Sequence, residues 1–475
     1  MGIEIGGYIE KVDGKDLKYS EFVEKYLFKN QPVVLTGIMD DWGACKDWVT
    51  DNGHPNLRFF ETCFGKSKVQ VADCGTREFT DQKRLEMSVS EFVSQWRPNS
   101  AEEQTDDSTC DTNGKSTLYL KDWHFVKEYP EYLAYRTPLF FCDDWLNIYL
   151  DNYRLHKNSD ICQENNEISC SDYRFVYMGA KGSWTPLHAD VFRSYSWSAN
   201  ICGKKNWFFL PPNQSHLVFD RNMKNCVFNL FEDINETMFP GFKKATWLEC
   251  VQERDEIIFV PSGWYHQVHN LEDTISINHN WFNAYNISWV WDLLWRDYEE
   301  TNGYIEDMKD ICEDFEALCQ RNLAANTGMN FYDFFIFILQ FSLANVVQLH
   351  NLYKNYEHPI LFSHVGQNLA LNLVSIQKIL LKMKSIDGLP ENKSNVDLRE
   401  VLDDPDFLKL CTSLDRTYSM IHEEQHRSFD AKDTLMVKLG DHSQISSIED
   451  LISFIDHAVS EYCGTKDKEN IVSTG

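Results

Sequence analysis

No Cys-x-x-Cys pair occurs among the 14 cysteines of this 475-residue chain. Zinc ribbons, and the zinc-built histone readers made from them, need closely spaced thiols, so that class is excluded. Scattered cysteines fit free thiols in a reducing compartment instead. No secretory signal is seen at residues 1–7, and a cytoplasmic location is expected. Position six is Gly6 rather than Ser or Thr, so the myristoylation pattern is missing as well. Positive charge is scarce: 45 Lys and Arg stand against 73 Asp and Glu, a formal charge of −28. Nucleic acid demands a basic footprint, so direct binding is not expected; a basic protein partner suits this surface better. Long apolar runs are missing too. The longest, residues 334–347, is broken by Gln340 and Asn345 and is too short for a membrane span, so a buried helix is expected there. No internal repeat is present.

Short aromatic and β-branched runs do fill residues 117–285, separated by Pro, Gly and Asn turns. That pattern predicts an antiparallel sandwich or jelly roll. Upstream, residues 1–116 mix helical and strand signals, and Pro32-Val33-Val34-Leu35-Thr36-Gly37 reads as a buried strand ending in a turn. Residues 98–116 and 156–171 are polar and read as surface loops. From Trp289 the spacing turns helical. The chain thus reads as α+β: a mixed segment 1–116, a jelly roll 117–285, a helical region 286–464 and a tail 465–475, with 385–395 as an inter-helix linker.

The chemistry concentrates in His188-Ala189-Asp190, followed 76 residues later by His266. Two imidazoles and a carboxylate are the ligand set of a non-haem Fe(II) oxygenase, which leaves other metal positions open for cosubstrate and O₂. If residues 187–192 form one strand, His188 and Asp190 share a face. His266 follows a buried strand and a Pro261-Ser262-Gly263 turn, and would enter from a second strand. Alone, an H-x-D pattern is weak, since a strand histidine with a satisfied ring is commonplace. Lys205 changes the weighting. It opens the aromatic run Asn206-Trp207-Phe208-Phe209-Leu210, and a buried ammonium needs an anionic partner. A dicarboxylate would supply one. Thr185, three before His188, could add a hydroxyl to the same carboxylate. Asn280 and Tyr119 are further inward-pointing candidates in alternating strands.

At these residues the chain resembles the JmjC-domain 2-oxoglutarate oxygenases. The matching stretches include Thr185-Pro186-Leu187-His188-Ala189-Asp190, Gly203-Lys204-Lys205-Asn206-Trp207 and Pro261-Ser262-Gly263-Trp264-Tyr265-His266. They also include Leu118-Tyr119-Leu120-Lys121-Asp122-Trp123 and Thr327-Gly328-Met329-Asn330-Phe331. The resemblance covers nearly the whole chain. It implies a JmjC-type double-stranded β-helix, the cupin jelly roll. It implies Fe(II) held by His188, Asp190 and His266, with 2-oxoglutarate and O₂ as cosubstrates. Lys205 with Thr185 would grip the far carboxylate, and Tyr119 and Asn280 would add contacts. One departure concerns Ser198, where related hydroxylases often carry asparagine, so a cosubstrate contact there is not carried over. The resemblance narrows the activity to lysyl hydroxylation of the eukaryotic translation release factor. A lysine or arginine demethylase and a catalytically idle scaffold are the alternatives; the intact ligand set argues against the scaffold. The helical C-terminal region could form a homodimer.

A rival motif is His422-Glu423-Glu424-Gln425-His426, which matches the H-E-x-x-H zinc-protease pattern on a predicted helix. Glu449 lies downstream as a conceivable third ligand. The flanks are polar and no adjacent strand is predicted to hold a peptide, so the expectation is a solvated helix face. His216, His269 and His279 compete less well as iron ligands, by loop position or by strand alternation. Trp184 and Tyr177 are candidates for the substrate mouth.

Overall fold

The structure is a computed structural model and describes residues 3–96, 117–153, 172–355, 363–386, 395–424 and 444–463. The expected loops 98–116 and 156–171, most of the linker and the tail 465–475 lie outside these residues.

Fourteen strands carry the catalytic half: β1 (Glu4–Tyr8), β2 (Lys11–Asp13), β3 (Val33–Thr36), β4 (Lys68–Glu78), β5 (Asp81–Ser88), β6 (Leu118–Trp123), β7 (Arg174–Gly179), β8 (Trp184–His188), β9 (Tyr195–Cys202), β10 (Lys205–Leu210), β11 (Thr246–Gln252), β12 (Glu256–Val260), β13 (Tyr265–Asn270) and β14 (Thr274–Trp281). They form a five-stranded sheet, β1-β11-β10-β13-β8, and a nine-stranded sheet, β2-β3-β12-β9-β14-β7-β6-β4-β5. This is the expected jelly roll. β1 with β11 and β2 with β3 run parallel, and most other neighbours are antiparallel.

The sequence pattern explains the layering. On β10, Trp207 and Phe209 are two apart and stand on one face. They meet Val34 of β3 and Ile258 and Val260 of β12 in a core between the sheets. Each such side chain, once buried, contributes about 2 kcal/mol. Two glycines set the turns that matter for the site. Gly203, between β9 and β10, has φ +73°, and a Cβ there would lie 2.1 Å from the Asp273 carbonyl oxygen. Gly263, between β12 and β13, has φ +74°. Both positions suit glycine because other residues are strained at positive φ.

The compact units are not bounded at residues 116 and 285. One unit is Met1–Pro138 with Tyr173–Asn280; the other is Leu139–Asp172 with Trp281–Gly475. Strand pairing is the reason for the first. The N-terminal strands β1–β5 complete the same two sheets, and Lys11 of β2 reaches Glu256 of β12 at 2.7 Å.

The second unit is helical, and its short entry helix Trp145–Asn152 packs within it. Trp145 stacks on Phe341 with ring centroids 4.6 Å apart. Phe341 belongs to the helix Phe331–Asn355, which contains the longest apolar run. Its stretch Phe331–Lys354 is long and apolar enough to cross a bilayer, but 83% of its most apolar window is buried within the fold. The buried helix expected from the sequence is therefore found, and it is longer than the run that announced it. The interrupting Asn345 is satisfied there, accepting from Asn372 Nδ2 at 2.8 Å. All ten cysteines with described side chains are free thiols.

Candidate metal and cosubstrate site

β8 and β13 are antiparallel neighbours, and His188 is the register partner of His266. Two residues distant in sequence are thereby set face to face, with ring centroids 4.3 Å apart. His188 Nδ1 lies 2.8 Å from the Pro186 carbonyl and His266 Nδ1 lies 3.1 Å from the Trp264 carbonyl. A carbonyl only accepts, so each Nδ1 carries the proton and donates it. That leaves both Nε2 lone pairs for the cavity, the tautomer a metal requires. Burial first, and the neighbouring His266 second, push His188 down to about 4, against the opposing pull of Asp190. The ring is therefore neutral at pH 7.

Asp190 arrives differently from expectation. The strand ends at His188 rather than running to Phe192. Asp190 sits just past it, ahead of a 3-10 turn at Val191–Arg193 in which Phe192 and Arg193 have positive φ. Its Oδ2 accepts from Ser196 Oγ at 2.7 Å, which fixes the carboxylate. The ligand atoms of His188, Asp190 and His266 all lie within 4.8 Å of one another, the one such group among the described residues. Two imidazoles and one carboxylate on one wall fit a ferrous ion with open positions.

These residues line a cavity of about 410 Å³, and so do Tyr119, Thr185, Lys205 and Asn280. The four cosubstrate candidates are thus brought together with the triad. Lys205 opens β10 and is 2% exposed; its ammonium donates to the Tyr119 hydroxyl at 3.0 Å. Burial is the main force pushing it down, to about 7, and the charge of Lys121 adds to it. Burial also raises Tyr119, so its phenol stays protonated and can donate to an anion. Asn280 Nδ2 donates to Ser194 Oγ at 3.2 Å. A buried cation that faces a cavity and donates to a neutral hydroxyl, with no ion pair among the described residues, fits a carboxylate guest.

Several wall residues were not anticipated. Lys121 and Asp122 line the cavity through β6, and Ser196 and Ser198 through β9. Period-two alternation was the available signal: Lys121 follows Tyr119 by two, and Ser198 follows Ser196 by two. Ser198, doubtful by resemblance, lines this wall, and its Oγ is buried with no hydrogen-bond partner among the described residues. Tyr177 lines the cavity and donates to Asp122 at 2.8 Å. Trp184 is not among the lining residues; it stacks on His269 with centroids 5.7 Å apart and donates to the Cys74 carbonyl at 3.2 Å.

The competing histidines are accounted for elsewhere. His269 Nε2 meets Gln267 Nε2 at 2.7 Å. His279 faces Tyr135. His216 sits in the 3-10 segment Pro212–Val218. The H-E-x-x-H helix is not formed as predicted. The helix Pro405–Ile421 stops before His422, and Glu423 has φ +53°. His422 is half-buried rather than solvated and stacks on His364, while Glu424 accepts from Ser363 at 2.9 Å. His426 lies outside the described residues. Without a continuous helix, residues four apart do not share a helical face. The double change His422→Ala with His426→Ala is therefore expected to leave oxygenase activity and metal content unchanged. Loss of one equivalent of zinc, read by elemental analysis, would refute this.

Comparison with known proteins agrees with the geometry. Residues 19–287 match the cupin-like domain family. The arginine-specific demethylase JMJ20 of Arabidopsis thaliana is 60% identical over 464 residues, covering 96% of this chain and 98% of that protein. The 2-oxoglutarate and iron-dependent oxygenase JMJD4 of Danio rerio is 40% identical over 339 residues, 70% of this chain and 74% of that protein. Its Homo sapiens counterpart is 34% identical over 328 residues, 67% of this chain and 72% of that protein.

Proposed function

This chain belongs to the cupin-like JmjC family, and on that premise we propose that it is an iron(II)- and 2-oxoglutarate-dependent oxygenase acting on a cationic protein side chain. The observation that carries this reading is one cavity lined by the His188–Asp190–His266 group and by the buried Lys205.

When bound, iron with 2-oxoglutarate and O₂ supplies an oxidant that hydroxylates a C–H bond, with succinate and CO₂ as coproducts. The chain's own residues do the rest. His188, Asp190 and His266 hold the ion, and Ser196 fixes the orientation of Asp190. Lys205, with Tyr119 and Thr185, takes the far carboxylate of the cosubstrate, and Asn280 adds a contact. The buried wall keeps water from the reacting centre.

Two finer readings share this chemistry. The first is lysyl hydroxylation of the translation release factor, which rests on the sequence resemblance and goes with a cytoplasmic enzyme. The acidic charge of −28 suits a lysine in basic surroundings. The second is demethylation of N-methylarginine, favoured by the 60% identity to a protein named as an arginine-specific demethylase. Hydroxylation of an N-methyl carbon gives a hemiaminal that collapses to formaldehyde and the unmethylated nitrogen. A homodimer through the C-terminal helices belongs to the same proposal, and sedimentation velocity would test it.

Mass spectrometry separates the readings. Enzyme, Fe(II), 2-oxoglutarate and O₂ are incubated with release factor and, in parallel, with methylated lysine and arginine peptides. Gain of one oxygen on a release-factor lysine supports the hydroxylase. Loss of a methylene from a methylarginine peptide with formaldehyde, and no adduct on the release factor, moves the answer to the demethylase. No turnover of 2-oxoglutarate with any substrate would sink the oxygenase reading itself.

A further inference from the structure

We propose that Lys121 is a second anion-holding group of the cavity, gripping the bound dicarboxylate together with Lys205; this rests on the oxygenase reading above. Lys121 follows Tyr119 by two on β6, so both side chains leave the same face of the strand. Both line the cavity. Lys121 is only 3% exposed. Its ammonium lies 5.0 Å from the centroid of the Tyr119 ring, and that of Lys205 lies 5.5 Å from the same centroid. Two ammonium groups therefore lie near one phenol.

Neither forms an ion pair with a carboxylate, although Asp81 and Asp122 attract Lys121 from farther away and Arg84 repels it. Lys121 donates to the neutral Gln82 Oε1 at 3.1 Å, and Lys205 to the neutral Tyr119 hydroxyl. Among the described residues neither takes part in an ion pair. The rim carboxylates are engaged elsewhere: Arg84 meets Asp122 at 3.0 Å and Asp81 at 3.3 Å, and Asp122 also accepts from Tyr177. Asp190 is committed to the metal group. Burying two like charges near one another is costly, because each loses its hydration and repels the other. The far carboxylate of the cosubstrate, shared between Lys205 and Lys121, relieves both penalties. Lys121 thus strengthens the attraction for the doubly charged cosubstrate, and it does the same for succinate, the doubly charged product.

The test is direct binding of 2-oxoglutarate to the full chain loaded with Mn(II), measured by calorimetry, with succinate and the monocarboxylate 2-oxobutyrate as comparison probes. Lys121→Met keeps the stem and removes the charge. The expected result is a loss of about tenfold or more in 2-oxoglutarate and succinate affinity, with a smaller loss for 2-oxobutyrate. Lys121→Arg restores most of the affinity. Without cosubstrate, Lys121→Met melts at a higher temperature than the wild type, because an unanswered buried charge is gone. Lys121→Gln gives a second variant should Lys121→Met fail to fold. Unchanged 2-oxoglutarate affinity in a folded Lys121 variant would overturn the proposal. Intact affinity with a raised KM for the protein substrate would also overturn it, assigning Lys121 to the substrate instead. If the wild type itself binds no 2-oxoglutarate, the oxygenase reading falls first and this one with it.

Discussion

Replacing His188 by alanine is expected to abolish 2-oxoglutarate turnover while the protein stays folded. His188 ends the edge strand β8, and its ring hydrogen-bonds locally, to the Pro186 carbonyl. The residue is half-buried on the cavity wall rather than in the core between the sheets, so the cost in stability is small. The cost in chemistry is large, because an open site has no spare protein ligand. Removing a residue that merely orients a ligand costs roughly 10–100-fold in metal affinity or activity, and removing a ligand itself should exceed that. The measurements are succinate release, iron content and a melting curve on the same preparation. Unchanged turnover would end the assignment of this triad as the metal centre.

Lys205→Ala carries the second largest effect. A charge-assisted hydrogen bond to a carboxylate contributes about 1.5–3 kcal/mol, so the apparent requirement for 2-oxoglutarate should rise about 10- to 100-fold. Iron affinity should not change, because Lys205 contacts Tyr119 rather than the triad. A fall in iron affinity with unchanged cosubstrate dependence would make Lys205 structural. The stability of the cosubstrate-free protein gives an independent reading. Burial pushes Lys205 from its ordinary 10.5 to about 7, so between these values the unfolded chain holds a proton that the folded one does not. Stability is then lost as pH falls from about 10.5 to about 7, and the penalty is fully present below that window. Lys205→Met should therefore melt higher than the wild type at neutral pH, with the advantage fading as pH rises toward 10.5. A pH-independent difference would contradict burial of the ammonium as the cause.

Much of the site was legible in the sequence because its signals are local. Lys205 at the mouth of an aromatic run, Tyr119 in an alternating strand and the Pro261-Ser262-Gly263 turn before His266 each announce themselves within a few residues. Gly203 and Gly263 both have positive φ, and the turn at Gly263 is where the sequence put it. The helical region was legible for the same reason, through its 3.6-residue spacing.

The zinc-protease pattern shows the limit of such local reading. His422-Glu423-Glu424-Gln425-His426 has the right letters, but the helix that would align them ends at Ile421. Asp190 shows the converse. Its letter was right and its predicted strand was wrong, because a 3-10 turn rather than a pleat brings its carboxylate to the histidines.

What the sequence by itself determined is the inventory of donors, the strand or turn carrying most of them, and the α+β division into sheet and helix, since these follow from side-chain chemistry and short-range periodicity. What only the tertiary structure decided is who faces whom. The register that sets His188 opposite His266, the N-terminal strands that complete both sheets, the entry helix that packs with the C-terminal helices, and the placing of Lys121 beside Lys205 are pairings between distant segments. Period-two alternation says which side chains share a face of one strand, but hydrogen-bonded register between strands is fixed by the packing of the whole core, and no short window of sequence contains it.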